Sequence, residues 1–423
     1  MATPDIELGR KKLDWARSHM PVHAELRRLY GERRPLEGMT VAVCSHIEAK
    51  TGVLIETAAA AGARVLFAGS EPMSSQDDVV AALNAEEGIT GYARRGATEK
   101  EFKAFHRKVL EQRPSFVLDD AAELTARLVH EYPETAARLA GMCEQTTTGV
   151  QRMQAMAREG RITFPAYAVN DTPMKRLFDN VHGTGESSLT NLLMCTNLLL
   201  AGKRVVVAGF GFCGRGVARK ARGWGARVMV TEVDPRKALQ AHMEGFEVGP
   251  MAEAARHGEL FVTTTGNRDV LRREHFERMP DDAVISNAGH FNVEIDREAL
   301  EDMAAAMREV RPGITEYRLA DGRRLNVVAE GHLVNLAAPG SMGHPVEVMD
   351  QTFAVQLAAA VHLVEHREEL GPGVHAVPDA VDRQVAELKL RTLGIAIDDL
   401  TEGQRRYVEA WRIEDINPDE SEP

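Results

Sequence analysis

The segment of residues 203–234 constrains the fold of this chain more than any other, and it reads KRVVVAGFGFCGRGVARKARGWGARVMVTEVD. The apolar, β-branched run Val205 to Ala208 predicts a buried parallel strand, and the glycine-rich sequence GFGFCG follows it directly. A helix-compatible segment comes next, and then a second apolar strand, Arg227 to Thr231, which ends at the acidic Glu232. This order predicts a βαβ unit with a dinucleotide-binding turn.

Each glycine of this turn has a separate task. Gly209 makes the tight turn, Gly211 lets the backbone approach a pyrophosphate, and Gly214 lets the helix pack on the strand. The pyrophosphate would lie at the N-terminus of the helix, where free N–H groups and the helix dipole favour an anion. Glu232 follows Gly209 by 23 residues, where its carboxylate can accept hydrogen bonds from the ribose of NAD and would repel a 2′-phosphate. The sequence therefore predicts that NAD binds here.

Size and charge narrow the class of protein. With 423 residues, the chain is long enough for two or three domains. Its formal net charge of −12 argues against nucleic acid and against an anionic membrane surface as partners. Because the sequence has no long apolar run and no signal-peptide pattern, we expect a cytoplasmic protein. The four cysteines lack the spacing of metal ligands, so neither a metal site nor a disulfide framework is predicted.

The chain before the NAD-binding unit alternates strands and helices in the same way. Strands are predicted at 39–44, 64–67, near 90 and at 115–118, which indicates a second α/β domain. Polar loops after its strands would meet at one edge of the sheet, where ligands bind. These polar segments are 45–50, 118–123, 144–149 and 170–180. Taken one at a time, their aspartates and threonines are equally typical of helix caps and turns.

The chain after the NAD-binding unit continues with strands that begin at Leu260 and Ala283 and end in polar and glycine residues. A hairpin is predicted from 316–319 and 325–328, and a long helix from 347–366. The tail from Val377 predicts one helix and a short segment, 401–411, with little core of its own. We therefore expect the tail to pack on another subunit.

Over nearly its whole length, the chain resembles the S-adenosylhomocysteine hydrolase family. The resemblance rests on SHIEAKTGVLIET, SSQDDVVAAL, LDDAAELT, EQTTTG, VNDTPMKRLFDN, VAGFGFCGRG, TEVDP, VTTTGN, NAGHFNVEID, AEGHLVNL and MGHP, in this order. The HIEAK and GTG motifs and the short tail LTEGQRRYVEAW are similar to the shorter archaeal and thermophilic-bacterial branch. That branch includes enzymes that act on S-inosylhomocysteine.

The resemblance implies an α/β fold in which a Rossmann NAD-binding domain is inserted into a second α/β domain, followed by a C-terminal helical dimerisation arm. In this chain the substrate-binding domain would comprise 1–183 and 346–376, the NAD-binding domain 184–345, and the oligomerisation arm 377–423. The implied assembly is a homotetramer, a dimer of dimers.

The resemblance also implies the chemistry. Tightly bound NAD would take a hydride from the 3′-hydroxyl of a purine nucleoside, which makes the C4′ proton removable. The 5′ substituent would then leave by β-elimination, water would add, and the hydride would return. Lys175 and Asp179 would bind the 3′-oxygen, while His46 and Asp120 would act as general acid and base at C4′ and C5′.

The residues implied by the resemblance fall into three groups. The catalytic group is His46, Asp120, Asn170, Lys175, Asp179 and His290. The substrate-binding group is Glu48, Lys50, Gln145, Thr146, Phe291, Met342 and His344. The cofactor-binding group is Thr146, Thr147, Thr148, Asn180, Gly209, Gly211, Phe212, Cys213, Gly214, Glu232, Val233, Asp234, Thr264, Thr265, Gly266, Asn267, Ala288, Gly289, His290 and Asn335.

Several positions around the sugar depart from the family's pattern. Gln145 stands where most members have a carboxylate that contacts the ribose hydroxyls. Glu48 and Lys50 occupy the last two named places of the motif His-x-Thr-x-Glu, and a lysine donor would suit the O6 acceptor of hypoxanthine. The loop 337–343 is two residues longer than the family's pattern predicts, and Glu186 replaces a usual glutamine.

Three functions follow from these observations. The sequence favours a hydrolase of S-adenosylhomocysteine or S-inosylhomocysteine. A nucleoside dehydratase that forms a 4′,5′-unsaturated product is the alternative, and only Gln145 and the longer loop 337–343 favour it. A catalytically idle NAD-binding partner is the third, and the intact His46, Asp120 and Lys175 argue against it.

Overall fold

The structure is a computed structural model that describes residues 4–411. The first part of the chain forms a parallel sheet whose strands run in the order β6–β5–β4–β1–β2–β3. The strands are β1 (Thr40–Ser45), β2 (Arg64–Gly69), β3 (Ile89–Tyr92), β4 (Phe116–Asp119), β5 (Gly141–Glu144) and β6 (Pro165–Ala168). Apart from Thr40, β1 is buried throughout, as expected for a strand covered on both faces.

Helices cover both faces of this sheet, and buried residues on each face form a separate apolar core. They are α1 (Ile6–Ser18), α2 (Pro21–Arg33), α3 (Ala49–Ala60), α4 (Asp77–Leu83), α5 (Glu99–Leu110), α6 (Glu123–Glu131), α7 (Pro133–Ala136), α8 (Thr147–Arg158) and α9 (Pro173–Arg176). The next helix, α10 (Thr184–Thr196), packs instead in the core of the second sheet. Several begin at the polar caps that their sequences provide; Thr146, for example, caps α8 by accepting from Gly149 N at 2.9 Å.

The middle of the chain forms a second sheet in the order β12–β13–β14–β11–β10–β7–β8–β9. Its strands are β7 (Arg204–Ala208), β8 (Arg227–Thr231), β9 (Glu247–Val248), β10 (Leu260–Thr263), β11 (Ala283–Asn287), β12 (Ala304–Arg311), β13 (Ile314–Leu319) and β14 (Arg324–Val328). Its helices are α11 (Phe212–Gly223), α12 (Pro235–Met243), α13 (Met251–Ala254), α14 (Arg273–Phe276), α15 (Arg297–Met303) and α16 (Val334–Ala337). The predicted βαβ unit is confirmed, because α11 connects β7 to β8 along the chain and the two strands pair in parallel.

The edge of the second sheet differs from the prediction. The predicted hairpin is confirmed as the antiparallel pair β13 and β14, but β12 adds a third strand against β13. The sequence of β12, AAAMREVR, did not predict this strand, because nearly all of its residues are exposed. An edge strand exposed on both faces does not alternate apolar and polar residues, and that alternation is the signal for a strand.

After the second sheet the chain returns to the first. The elements here are α17 (Val346–Glu365), β15 (Gly373–His375), α18 (Asp379–Thr392) and α19 (Glu402–Glu409). β15 pairs in parallel with β6, so the second sheet is an insertion within the first α/β unit. The predicted fold class is confirmed. Among residues 4–411, each helix falls short of the length and apolarity that crossing a membrane requires.

Asp350 of α17 holds the returning chain in place. Its fully buried carboxylate accepts from Val22 N at 3.1 Å and His23 N at 3.0 Å at the start of α2, and from Lys389 Nζ of α18 at 3.1 Å. The tail was expected to add little core, but α18 contributes to the first core on the α17 side of the sheet. Its buried apolar residues are Val381, Val385 and Leu388. Their spacing places them on one face of the helix, which explains why α18 packs within its own chain.

Candidate active site

The carboxyl ends of strands from both sheets line one cavity of about 1030 Å³. Open α/β sheets bind ligands at these ends. The predicted site residues that line it are His46, Glu48, Asp120, Gln145, Thr146, Thr147, Thr148, Asn170, Lys175, Asp179, Asn180, Gly209, Gly211, Phe212, Cys213, Glu232, Val233, Thr264, Thr265, Gly266, Asn267, Ala288, Gly289, His290, Asn335 and His344. The structure thus brings together most of the residues that the resemblance implied.

Within residues 4–411, five predicted site residues lie outside the cavity lining: Lys50, Gly214, Asp234, Phe291 and Met342. The lining also contains residues to which the sequence analysis gave no role: Ser45, Arg176 and Arg215 lie within the motifs quoted above, whereas Met349 and Phe353 lie outside them. The last two lie on α17, and no motif marks them, because an apolar helix gives no sign of which of its residues reach a ligand.

One polar cluster surrounds Lys175 of α9. Lys175 Nζ donates to Asp179 Oδ1 at 2.9 Å and to Asn180 Oδ1 at 2.7 Å. Asn180 Nδ2 donates in turn to Asn170 Oδ1 at 3.0 Å. Lys175 lies in α9 and Asp179 begins the helical segment that follows it, four residues later, and the two side chains form an ion pair there.

The charge of Asp179 is set by its neighbours. Its Oδ1 lies 3.1 Å from His344 Nδ1, and its Oδ2 accepts from Thr352 Oγ1 of α17 at 2.9 Å. Burial alone would raise the pKa of Asp179, but Lys175 and His344 outweigh burial and hold this pKa below its usual range. Asp179 is therefore an anion that keeps the Lys175 amine in place.

A second cluster contains Asp120 between two histidines. Asp120 Oδ2 lies 3.6 Å from His46 Nε2, and Asp120 Oδ1 lies 3.6 Å from His290 Nδ1. Burial raises the pKa of Asp120 and lowers the pKa of His46 to about 4, so His46 is neutral near pH 7. His46 Nδ1 is 2.8 Å from Ser74 Oγ, which leaves Nε2 facing Asp120. His46 Nε2 thus faces Asp120 without a direct hydrogen bond to it, since 3.6 Å exceeds hydrogen-bond distance.

The same cluster could also hold a metal ion, because ligand atoms of His46, Asp120 and His290 lie within 4.8 Å of one another. The sequence analysis predicted no metal site, since it searched for cysteine and histidine spacing along the chain. These three residues are brought together from distant loops.

Gln145, which lines the cavity, also contacts Asp120. Its Nε2 donates to Asp120 Oδ2 at 2.9 Å and to Ser45 Oγ at 3.3 Å. The sequence analysis considered Gln145 only as a ribose contact. The structure adds that the amide stabilises the ionised form of Asp120, which a carboxylate at this position could not do.

Lys50 holds a loop, so the suggestion that it reads hypoxanthine has no support in this geometry. Its Nζ lies 2.8 Å from Glu48 Oε2 and donates to the carbonyl oxygen of His344 at 2.8 Å and to that of Met342. The two contacts with carbonyl oxygens hold the segment 342–344 beside Lys50, and the third pairs Lys50 with Glu48. Glu186, the other unusual residue, pairs with Lys220 on the neighbouring helix α11.

The NAD-binding turn has the geometry that its sequence predicts. Gly209 has a φ of +97°, which favours glycine. A Cβ at Gly214 would lie 2.0 Å from the Gly209 carbonyl oxygen, so this residue permits the close contact of helix and strand. A Cβ at Gly211, in contrast, would meet no described protein atom within 4 Å and would project into open space.

The end of β8 completes the cofactor half of the cavity. Glu232 accepts from Phe210 N at 2.7 Å and from Val233 N at 2.7 Å, so its carboxylate stands at the edge of the turn. Asp234 instead caps α12 by accepting from Arg236 N at 2.9 Å, which accounts for its place outside the lining. A roomy cavity, a glycine backbone facing it, and a carboxylate at the strand end together fit an NAD molecule.

Comparison with known proteins gives two kinds of match. The family model described as S-adenosyl-L-homocysteine hydrolase matches residues 3–132, and the model of its NAD-binding domain matches residues 180–341. An S-inosyl-L-homocysteine hydrolase from Methanopyrus kandleri is 51% identical over 404 residues, which cover 95% of each chain. An adenosylhomocysteinase from Halobacterium salinarum is 53% identical and covers 96% of this chain and 95% of the relative. One from Aquifex aeolicus is 49% identical and covers 96% and 97%.

The open space at Gly211 gives a test of the cofactor site. We expect Gly211→Ala to reduce the NAD retained through purification by about tenfold, because overpacking by one methyl group at a close contact costs on the order of 1–3 kcal/mol. NAD released on denaturation is the measurement, and the melting temperature of the NAD-free protein should stay unchanged, since bound NAD itself stabilises the fold. Gly31→Ala on α2 is the matched control, since a Cβ there also meets nothing within 4 Å. Full NAD content in Gly211→Ala would contradict this assignment.

Proposed function

Because the chain belongs to the S-adenosyl-L-homocysteine hydrolase family, we propose that it hydrolyses S-adenosyl-L-homocysteine or S-inosyl-L-homocysteine to homocysteine and the nucleoside. The family and the NAD cofactor, both predicted from the sequence, are confirmed, and the chain is an NAD-dependent hydrolase. The observation that carries the proposed reaction is the meeting of the NAD-binding turn with the Lys175 and Asp120 clusters in one cavity.

The Lys175 cluster would act at the 3′-oxygen of the nucleoside. When bound, NAD supplies a hydride acceptor for C3′, which makes the neighbouring C4′ proton acidic. Lys175 Nζ would hold the 3′-oxygen and stabilise the negative charge that develops on it. Asp179 and Asn180 keep Nζ in position, at 2.9 and 2.7 Å.

The Asp120 cluster would move protons at C4′ and C5′. A raised pKa makes the Asp120 carboxylate a stronger base than an exposed aspartate, so it suits removal of the C4′ proton. His46, 3.6 Å away, would exchange that proton with the 5′ substituent as homocysteine leaves and water enters. Gln145 keeps Asp120 ionised until the proton is transferred.

The domain division into 1–183 with 346–376, 184–345 and 377–423 is part of this proposal. The parallel pairing of β15 with β6 supports the joining of 1–183 with 346–376. A cytoplasmic location is also part of this proposal.

We also propose a homotetramer. Within the described chain, α19 has no buried side chain, and Ile397, Val408 and Trp411 are each more than 70% exposed. A partner subunit would cover these side chains.

The dehydratase alternative loses its main argument. It depended on Gln145 as a sign of a rebuilt sugar pocket, and the contact of Gln145 with Asp120 gives this residue another task. The relatives named above carry names of homocysteine-releasing enzymes. A dehydrated nucleoside remains an outcome of the test that follows.

The reaction is tested by mass spectrometry of the products from S-adenosyl-L-homocysteine and S-inosyl-L-homocysteine. We expect homocysteine from at least one of them without added NAD, because the cofactor is regenerated in each cycle. Lys175→Met should abolish reduction of bound NAD by substrate, followed by absorbance at 340 nm. Lys11→Met, at an exposed lysine, is the control. A 4′,5′-unsaturated nucleoside without homocysteine would overturn the hydrolase proposal.

The contact of Gln145 with Asp120 predicts a change in pH dependence. In Gln145→Glu, a second carboxylate would face Asp120 at hydrogen-bond distance, and like charges this close raise the pKa of one of the pair. The acidic limb of the pH–rate profile should therefore move upward by about one pH unit or more. Ser45→Ala, which removes the weaker partner of Gln145, should move the limb much less. An unchanged limb in Gln145→Glu would show that Asp120 is not the base.

The oligomer is tested at the exposed face of α19. We expect Val408→Asp to dissociate the tetramer into smaller species, since burying an unpaired charge opposes association. Light scattering coupled to size exclusion is the measurement. Met243→Asp on α12, at an equally exposed methionine, is the control. A full chain that elutes as a monomer would refute the assembly.

A further inference from the structure

The turn that follows β4 contains two successive alanines with left-handed backbone. Ala121 has a φ of +61° and Ala122 a φ of +52°, and both follow Asp120 directly. Residues other than glycine adopt this backbone conformation only at an energetic cost, and two such residues in succession are rare. Strain of this kind persists where surrounding contacts enforce it, and it is concentrated at functional sites.

Glu144 makes the contacts that enforce this turn. Its Oε1 accepts from Ala121 N at 3.0 Å, and its Oε2 accepts from Ala122 N at 2.9 Å. Its Oε1 also accepts from Thr146 N at 2.8 Å and from Thr146 Oγ1 at 2.7 Å. One carboxylate thus joins the strained turn after β4 to the N-terminus of α8.

The surroundings of Glu144 leave room for this carboxylate and for little else. Glu144 is fully buried and, in the part of the chain that the structure describes, lies outside the cavity lining. A Cβ at Gly149 would come within 2.1 Å of Glu144 Cδ, so the glycine of EQTTTG leaves space for it. Burial and the nearby Asp119 and Asp120 raise the pKa of Glu144. The four hydrogen-bond donors act in the opposite direction, because they favour the ionised carboxylate.

The turn decides where the Asp120 side chain points. On its other side, Asp119 accepts from Thr125 N at 2.7 Å and from Thr125 Oγ1 at 2.6 Å, which fastens the start of α6. Asp120 is thereby turned into the cavity. Among residues 4–411, its Oδ1 has no hydrogen-bond partner and is available to a ligand.

We propose that Glu144 is the positioning residue of Asp120: it holds the strained Ala121–Ala122 turn and so places the Asp120 carboxylate against the substrate. The role of Asp120 as the base at C4′ rests on the proposed function. Glu144 acts on proton transfer through this turn, and none of its four hydrogen bonds in the described chain involves the Lys175 cluster or the glycine turn 209–214.

The test separates two steps in the holoenzyme with Glu144→Gln. An amide has a single acceptor oxygen, so one alanine N–H of the turn would face an N–H donor instead. Reduction of bound NAD by the nucleoside should stay within about threefold of the original enzyme. Exchange of the C4′ hydrogen with deuterium from D₂O should fall by about a hundredfold, because Asp120 is displaced. Glu56→Gln is the control, because it removes another buried carboxylate, on α3, which packs on the same sheet.

Rescue distinguishes positioning from general stability. Adding Ala121→Gly and Ala122→Gly to Glu144→Gln should raise the rate of C4′ hydrogen exchange at least tenfold above that of Glu144→Gln alone, because glycine adopts a positive φ without strain. The same triple variant relieves the turn if Glu144→Gln alone folds poorly. Equal loss of both steps, unchanged exchange, or no recovery with glycine would each overturn the inference. An original enzyme that never reduces its bound NAD with nucleoside would instead overturn the proposed function.

Discussion

The buried carboxylate of Asp179 is the contact on which the site depends. It joins Lys175 of α9, Thr352 of α17 and His344 of the segment that returns from the second sheet. Without this anion, the buried Lys175 amine would keep, within the described chain, the Asn180 amide oxygen as its hydrogen-bond partner, and an unpaired buried cation is costly. One side chain therefore sets the charge at the site and also fastens the two sheets across the cavity.

The pKa values of two aspartates in one cavity are shifted in opposite directions: that of Asp179 is lowered and that of Asp120 is raised. The neighbouring side chains explain the difference. Both Asp179 and Asp120 are buried, which opposes ionisation. Lys175 and His344 reverse the effect at Asp179, whereas Asp120 faces a neutral histidine and the amide of Gln145. A permanent anion that positions a cation and a carboxylate that can take up a proton are the two tasks that the proposed reaction requires.

Contacts between the sheets explain why residues far from the cofactor matter. Lys50 donates to the backbone of the segment 342–344, and Arg95 donates to the carbonyl oxygen of Ala337 at 2.9 Å. Glu71 Oε1 lies 3.1 Å from His332 Nδ1. The contacts of Lys50 and Arg95 hold the two ends of the long loop 337–343, and the contact of Glu71 with His332 adds a further link between the two halves. Lys50, one of the unusual residues of the sequence, is thus part of the contact between the two halves.

The amino-acid sequence by itself determined the NAD-binding unit, the fold class and the family. A glycine turn between a buried strand and a helix, followed by Glu232, is a local signal whose meaning does not depend on the remaining chain. The long motifs preserved most of the residues that meet in the cavity. Sequence could name these residues because each belongs to a continuous segment with a recognisable pattern.

Only the tertiary structure decided which side chains are partners. Gln145 contacts Asp120, Lys50 holds the loop, and Glu144 holds the alanine turn, because strands far apart in sequence end at the same edge of a sheet. The strand β12 and the packing of α18 also required the structure, since an exposed edge strand lacks alternation and a short apolar face does not reveal its partner. Hydrogen bonds and pKa values depend on distances of a few ångströms between such segments, and residue order along the chain does not encode those distances locally.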